Sequence, residues 1–97
     1  MPTYINLISW TEQGIRNIKE APQRIDAFKK AVETAGGKLK GFYVTMGRYD
    51  IVTIVDLPSD EALANIALGT GSKGSIRTET MKAFTEDQFR TILTKVQ

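Results

Sequence analysis

The segment FYVTMGRYDIVTIVDL, residues 42–57, decides the fold of this chain. Two runs rich in β-branched and aromatic residues, Leu39–Thr45 and Ile51–Leu57, flank a turn that contains Gly47. Glycine reaches backbone conformations that other residues resist, so it suits a tight turn between strands. The segment therefore predicts a β-hairpin. Its second strand is apolar at both alternating positions, which predicts a place in the middle of a sheet with both faces covered.

Two elements precede the hairpin. Tyr4–Trp10 is short, β-branched and aromatic and predicts the first strand. Pro22 suits the first turn of a helix, and Gly36-Gly37 suits its end. The apolar face of this predicted helix consists of Ile25, Phe28, Val32 and Ala35.

Three elements follow the hairpin. Ser59 is a suitable N-cap for a helix that we expect to stop at Gly69, followed by a flexible loop over Gly69–Ser75. Ile76–Ala83 resumes an extended pattern and predicts the last strand. Thr85 and Gln88 have the spacing of a capping box, so they predict a closing helix. The element order is βαββαβ plus a C-terminal helix, which predicts one ferredoxin-like α+β domain over residues 1–97, with a four-stranded antiparallel sheet.

Composition excludes several kinds of chemistry. The 97 residues are 41% hydrophobic and 25% charged, as in an ordinary globular domain, and they include no Cys and no His. Disulfides, thiolate nucleophiles, Ser-His pairs and His-ligated haem or zinc are therefore excluded. We predict no cofactor and no metal site, and any metal would have to be oxygen-ligated.

The net charge and the hydropathy of the chain indicate whether it binds nucleic acid or a membrane. A formal net charge of +2 is a weak basis for binding nucleic acid, so we predict none. No apolar run approaches the roughly 18 residues of a membrane span, and the chain opens with a strand pattern, so we expect no membrane association and a cytoplasmic protein.

The predicted sheet has one face that helices do not cover. The apolar residues of Ile51–Val55 and Tyr4–Trp10 would leave an apolar patch on that face. We therefore predict a homodimer with two sheets packed face to face, or a larger homo-oligomer built from it. The alternative is that the C-terminal helix folds over the open face of its own sheet.

Topology indicates where a site would lie. The end of the first strand, the hairpin turn and the glycine-rich loop emerge at the same end of the predicted sheet, so their polar groups are expected to rim one cleft. Lys73 is followed by Gly74 and the loop precedes a strand, so it is not a P-loop. The candidate ligand-binding residues are Asn6, Trp10, Gln13, Tyr43, Arg48, Tyr49 and Arg77.

Four short motifs resemble the GYD domain family of small bacterial and archaeal proteins. They are Thr11-x-Gln13-Gly14, Gly36-Gly37-Lys38, Gly47-x-Tyr49-Asp50, and Ile76-Arg77-Thr78-x-Thr80 followed by Ala83-Phe84. The resemblance implies a ferredoxin-like fold akin to the dimeric α+β barrels, but no particular reaction. The wider group of dimeric α+β barrels includes cofactor-free monooxygenases, lactone isomerases and haem enzymes, which is an analogy of fold only.

Three functions remain open from the sequence. The first is non-catalytic binding of a small molecule between packed sheets. The second is a cofactor-free monooxygenase or isomerase, with Asp50 or Glu79 as the general base. The third is a structural or regulatory oligomer that docks a partner protein. Tyr49 and Asp50 also have a purely structural interpretation, because both residue types commonly build turns.

Overall fold

A computed structural model describes all of residues 1–97 and shows a ferredoxin-like α+β fold. The strands are β1 (Thr3–Trp10), β2 (Lys38–Val44), β3 (Ile51–Asp56) and β4 (Ile76–Ala83). The helices are α1 (Glu12–Arg16), α2 (Ala21–Thr34), α3 (Asp60–Gly71) and α4 (Glu86–Leu93), with a 3-10 turn at Ile18–Glu20. The sheet order is β2-β3-β1-β4 and every neighbouring pair is antiparallel, so the predicted fold class is confirmed.

The hairpin of β2 and β3 is closed as the sequence predicts. Gly47 has a φ of +118°, and no atom lies within 4 Å of where its Cβ would be, so the turn needs glycine for its backbone angle and not for space. The backbone N–H of Thr45 donates to the carbonyl oxygen of Asp50 at 2.8 Å, and the Thr45 hydroxyl donates to the Tyr49 carbonyl at 2.6 Å. The turn is therefore fixed by its own hydrogen bonds.

The hydrophobic core lies between the sheet and helices α2 and α3. Val55 and Leu57 at the end of β3 are fully buried, and Val32 of α2 is 1% exposed. Leu63 and Ile66 of α3 complete the cluster together with Tyr4 of β1. Side chains alternate across a strand, so this packing fixes which residues of the central strands face the helices.

The opposite face of the sheet carries no helix. Ile5 pairs with Ile54 and Leu7 pairs with Val52 across β1 and β3, and all four are half-buried. We call this surface the open face. Tyr43 and Met81, at 60% and 46% exposed, flank it on the outer strands. It is the apolar patch that the sequence predicts.

Helix α4 begins at the predicted capping box. The Thr85 hydroxyl accepts from the Gln88 backbone N–H, and the Gln88 side chain accepts from the Thr85 backbone N–H. Every residue of α4 is exposed, including the apolar Phe89 and Ile92. The alternative in which this helix covers the open face of its own sheet is therefore not found.

Helix α3 is longer than predicted. It continues through Gly69 to Gly71, where the sequence predicts a stop at Gly69. The Thr70 hydroxyl donates to the Ile66 carbonyl at 2.9 Å, and the Ser72 N–H donates to the Leu68 carbonyl at 2.9 Å, so the last turn is well bonded. Glycine inside a helix costs only about 1 kcal/mol relative to alanine, which packing readily outweighs. The predicted loop is thus shortened to residues 72–75.

Candidate functional site

The end of β1, the hairpin turn and the connector before β4 meet at one end of the sheet. The backbone N–H of Trp10 donates to the Asp50 carboxylate at 2.9 Å. The backbone N–H of Thr11 donates to the Ser75 carbonyl at 3.0 Å, and its hydroxyl donates to the Gly74 carbonyl at 2.5 Å. The expected convergence of these three segments is confirmed.

The short helix α1 packs tightly on the connector. A Cβ at Gly14 would lie 2.1 Å from the Ser75 carbonyl oxygen, so only glycine allows this approach. The exposed Gln13 side chain donates to the Lys73 carbonyl at 3.2 Å. Gln13 thus lies at the predicted end of the sheet, where it holds the connector.

The structure does not bring the predicted site residues into one cleft. Asn6 and Trp10 belong to the side of β1 that faces the helices. Tyr43 pairs with Val52 and belongs to the open face, on the other side of the sheet. Arg77 and Glu79 of β4 are exposed on that same face. These residues lie on two sides of the sheet because side chains alternate along a strand, and their assignment to a ligand site stays a prediction.

Tyr49 reaches from the hairpin turn to β4. Its hydroxyl donates to the Glu79 carboxylate at 2.5 Å, and this hydrogen bond, followed by partial burial and the Glu79 charge, raises the pKa of Tyr49. The Arg48 guanidinium lies 5.8 Å from the centre of the Tyr49 ring and acts in the opposite direction on that pKa. These contacts fasten the turn to the sheet.

The two candidate general bases, Asp50 and Glu79, have structural partners. Asp50 is half-buried and accepts from the Trp10 backbone, and Glu79 accepts from Tyr49. Neither carboxylate borders the large cleft described next. Their assignment as catalytic groups stays a prediction.

A large concavity lies between the sheet and helices α2 and α3. We call it the helix-side cleft; its volume is about 1150 Å³. Its walls are mainly apolar, and the only tryptophan of the chain contributes to them. The large apolar side chains that line it are Ile8, Trp10, Ile25, Phe28, Phe42, Ile51, Leu63, Ile66 and Ile76.

Polar groups at the base of the cleft satisfy one another. The Asn6 side-chain amide donates to the Thr53 hydroxyl at 2.9 Å and accepts from the Thr80 hydroxyl at 2.9 Å. Asn6 is 2% exposed and Thr53 is fully buried. Buried polar groups in proteins are almost always paired, and these two strand residues follow the rule. They make a fixed polar base beneath an apolar cavity.

Arg24 is a cleft residue that the sequence analysis missed. Its Nη1 donates to the Asn17 carbonyl at 3.2 Å and lies 4.0 Å from the Glu20 carboxylate. Its Nη2 is shielded from solvent and has no hydrogen-bond acceptor in the protein. The available signal was its spacing, because Arg24 stands four residues before Phe28 on the apolar side of α2.

A second polar cluster secures the start of α3. The buried Tyr4 hydroxyl donates to the Asp60 carboxylate, and the Lys82 ammonium lies 3.3 Å from the same carboxylate. Burial, and then the Asp60 hydrogen bond, raise the pKa of Tyr4 to about 12. The Tyr4 hydrogen bond and Lys82 lower the pKa of Asp60. The adjoining cavity is about 290 Å³, much smaller than the helix-side cleft.

The fold and the cleft define a class: a ferredoxin-like α+β protein with a large apolar cleft between its sheet and its helices. None of its helices is long and apolar enough to span a bilayer. Residues 4–93 match the GYD domain family. The chain belongs to that family, as its motifs indicate.

Known relatives agree with this assignment. The chain is 31% identical over 84 residues to the glutamine synthetase and cystathionine beta-lyase binding protein of Thermus thermophilus, and the match covers 86% of this chain and 88% of the relative. The crystal structure of TTHA0845, from the same organism, is similar with a TM-score of 0.55 and 28% identity over 88% of this chain and 95% of that one.

A more distant structural neighbour shows the same fold. It is a feast or famine regulatory protein from M. tuberculosis, solved with L-methionine, with a TM-score of 0.65 and 15% identity. The similarity covers 88% of this chain and 51% of the regulator, so the chain spans about half the length of that protein. At this identity the likeness concerns the fold alone.

Proposed function

We propose that this chain is a non-catalytic binding protein that holds a small molecule in the helix-side cleft. The observation that carries the proposal is the cleft itself, with about 1150 Å³ of mainly apolar concavity. Small-molecule sites typically occupy about 300–1,000 Å³ and are lined by apolar side chains with a few polar groups. The cleft has that composition, and large exposed apolar surfaces commonly mark ligand-binding grooves.

The proposed ligand site lies on the opposite face of the sheet from the one that the sequence predicts. The sequence predicts a ligand between packed sheets, on the open face. The concavity lies instead on the opposite side, between β1, β3 and the two long helices. Ligand sites favour concave surfaces, so the helix side is the better candidate.

A fluorescence titration tests the proposal, because Trp10 lines the cleft and is the only tryptophan. We expect octan-1-ol to change Trp10 fluorescence in a saturable way. Ala27→Phe places a ring at an exposed position of the cleft wall and is expected to abolish the response. Ala64→Phe, at an exposed position of α3 outside the cleft, is the matched control and is expected to preserve it. A wild-type protein that shows no saturable response to octan-1-ol or to octanoate contradicts the proposal.

We also propose that two copies pair through their open faces. This face has an apolar centre at Ile5, Leu7, Val52 and Ile54 that nothing in the chain covers. Exposed contiguous apolar patches usually mark interaction sites, and a second copy offers a matching one under two-fold symmetry. Helix α4 also exposes apolar residues, among them Phe89 and Ile92.

Light scattering tests the pairing. We expect a dimer or a larger assembly for the wild type. Ile54→Asp places a charge in the centre of the open face and is expected to give a monomer, whereas Ile15→Asp, at a 53% exposed position on α1, leaves the mass unchanged. A monomeric wild type at micromolar concentration rules the pairing out.

The docking of a partner protein is the second candidate function. The observation that favours it is the relative whose name states that it binds glutamine synthetase and cystathionine beta-lyase, at 31% identity over 86% of this chain. Surface plasmon resonance with each purified enzyme tests whether this chain does the same. Saturable binding of either enzyme supports the proposal, and its absence for both removes it. The catalytic alternative has no such support, because Asp50 and Glu79 lie outside the cleft.

A further inference from the structure

We propose that the ligand of the helix-side cleft carries one anionic group, a carboxylate on an apolar body, and that Arg24 binds that group. This inference rests on the proposed function, since it names the class of molecule that the same cleft takes. Beyond the size and polarity of the cavity, it names the residue that binds the ligand, Arg24, and the charge that the ligand carries.

The first observation is the incomplete pairing of Arg24. Its side chain is 25% exposed, so most of a permanently charged group is withdrawn from water. The only acidic neighbour within 4.0 Å is Glu20, whose own side chain is 69% exposed, which makes this pair weak. Nη2 has no acceptor at all. A desolvated donor without a partner is costly, and an anionic ligand atom would remove that cost.

The second observation is the charge of the surrounding wall. Arg24, Lys30 and Lys73 line the cleft, against a single carboxylate, Glu61. Arg24 and Lys73 lie at the same end, because α2 begins and α3 ends at the end of the sheet where β1 finishes. Two of the three positive groups therefore lie at one end of an apolar cavity, which suits a molecule with one charged end.

The third observation favours a carboxylate over a phosphate as the anionic group of the ligand. Phosphate sites usually gather several free backbone amides in a loop or at a helix start. In the connector before β4, Ser72, Lys73 and Gly74 already donate their N–H groups to carbonyls of α3, at 2.9, 3.3 and 3.0 Å. The connector thus has no group of free backbone amides that could bind a phosphate. A single guanidinium matches the planar, bidentate geometry of a carboxylate.

The test compares two probes with the same body, octanoate and octan-1-ol, at neutral pH by Trp10 fluorescence or calorimetry. Arg24→Gln is expected to weaken octanoate binding by about 10-fold or more and to leave octan-1-ol binding within about 2-fold, because only the ionic hydrogen bonds are lost. Arg16→Gln is the matched control. Like Arg24 it pairs with a glutamate four residues earlier, but it is 68% exposed and lies outside the cleft.

The outcomes distinguish the inference from the proposed function. If Arg24→Gln weakens both probes equally, or neither, Arg24 is not an anion-binding residue and the inference fails while the cleft stands. If the wild type binds octan-1-ol but not octanoate, the inference fails in the same way. If the wild type binds neither probe, the proposed function itself is overturned. Unchanged octan-1-ol binding by Arg24→Gln also shows that the variant is folded.

Discussion

The two faces of the sheet differ at their centres, although the hydrophobic core lies on the helix side. The face that the helices cover has a polar centre, in which Asn6 bonds to Thr53 and Thr80. The open face, one residue along the same strands, has an apolar centre that includes Leu7 and Val52. A simple domain would place polar residues toward water and apolar residues toward its helices.

The central residues of the two faces reverse this arrangement, which indicates that each face has a different task. An apolar cleft with a few polar groups at its base suits a small ligand. An uncovered apolar face suits the binding of another protein, because contact with water is unfavourable for apolar surface. The two proposals together assign small-molecule binding to one side of the sheet and protein binding to the other.

The largest contrast is expected from two valines of β3 on opposite faces. Val55→Ala is expected to lower the free energy of unfolding by about 2–3 kcal/mol, since Val55 is fully buried and a cavity remains. Val52→Ala is expected to cost less than about 1 kcal/mol in dilute protein, where the open face is half in water. Urea denaturation at two protein concentrations measures both. Equal losses in dilute protein would mean that the faces are equally buried.

The polar centre of the helix side is the next test. Thr53→Val is expected to cost about 1–2 kcal/mol, because it leaves the Asn6 amide without its acceptor in a buried place. Thr78→Val, on the same face at a half-buried position with no side-chain hydrogen bond, is the control and is expected to change stability by less than about 0.5 kcal/mol. Thermal or urea unfolding distinguishes them. A neutral Thr53→Val would show that the polar pairing is not needed for stability.

Alkaline pH is expected to separate two tyrosines. The pKa of Tyr4 is raised from 10.0 to about 12, mainly by burial, so its stabilising contribution is complete below pH 10 and is lost as pH rises toward 12. Tyr4→Phe should flatten stability over that range. Tyr49 also has a raised pKa, but its main cause is Glu79, so Glu79→Gln should lower the pKa of Tyr49 alone. Phenolate absorbance titrations of the variants measure this, and a shift of Tyr4 in Glu79→Gln would refute the separation.

The smallest effect on the whole domain is expected from the cap of α4. Thr85→Ala removes the capping box and should cost the helix about 1 kcal/mol locally. Because no residue of α4 is buried, the urea midpoint of dilute protein should not move. Hydrogen exchange of the α4 amides should accelerate by about 5-fold. A clear loss of global stability in dilute protein would show that α4 packs against the chain after all.

Local signals explain why the fold could be predicted. The glycine at position 47, the capping box at Thr85 and the apolar run of β3 each act within a few residues, so the sequence shows them directly. The end of α3 is harder, because Gly69 and Gly71 permit a helix as well as a loop. Only contacts elsewhere decide between these two states.

The candidate site was harder to predict from the sequence than the fold, for a physical reason. The first strand is apolar at both alternating positions, so its sequence does not show which residues face the helices, and Asn6 could not be separated from the open-face residue Tyr43. Arg24 was missed for a different reason. A lone arginine near a helix start normally points to water, and only the three-dimensional structure shows that its Nη2 is shielded.

One measurement tests directly whether ligand and protein use different faces of the sheet. An NMR titration of isotope-labelled protein with octanoate reports which backbone amides change. We predict saturable shifts at helix-side cleft residues such as Ile8, Phe28 and Ile66, with no comparable shifts at Leu7 or Val52. Saturable shifts centred on Leu7 and Val52, with the cleft residues unchanged, would contradict the account.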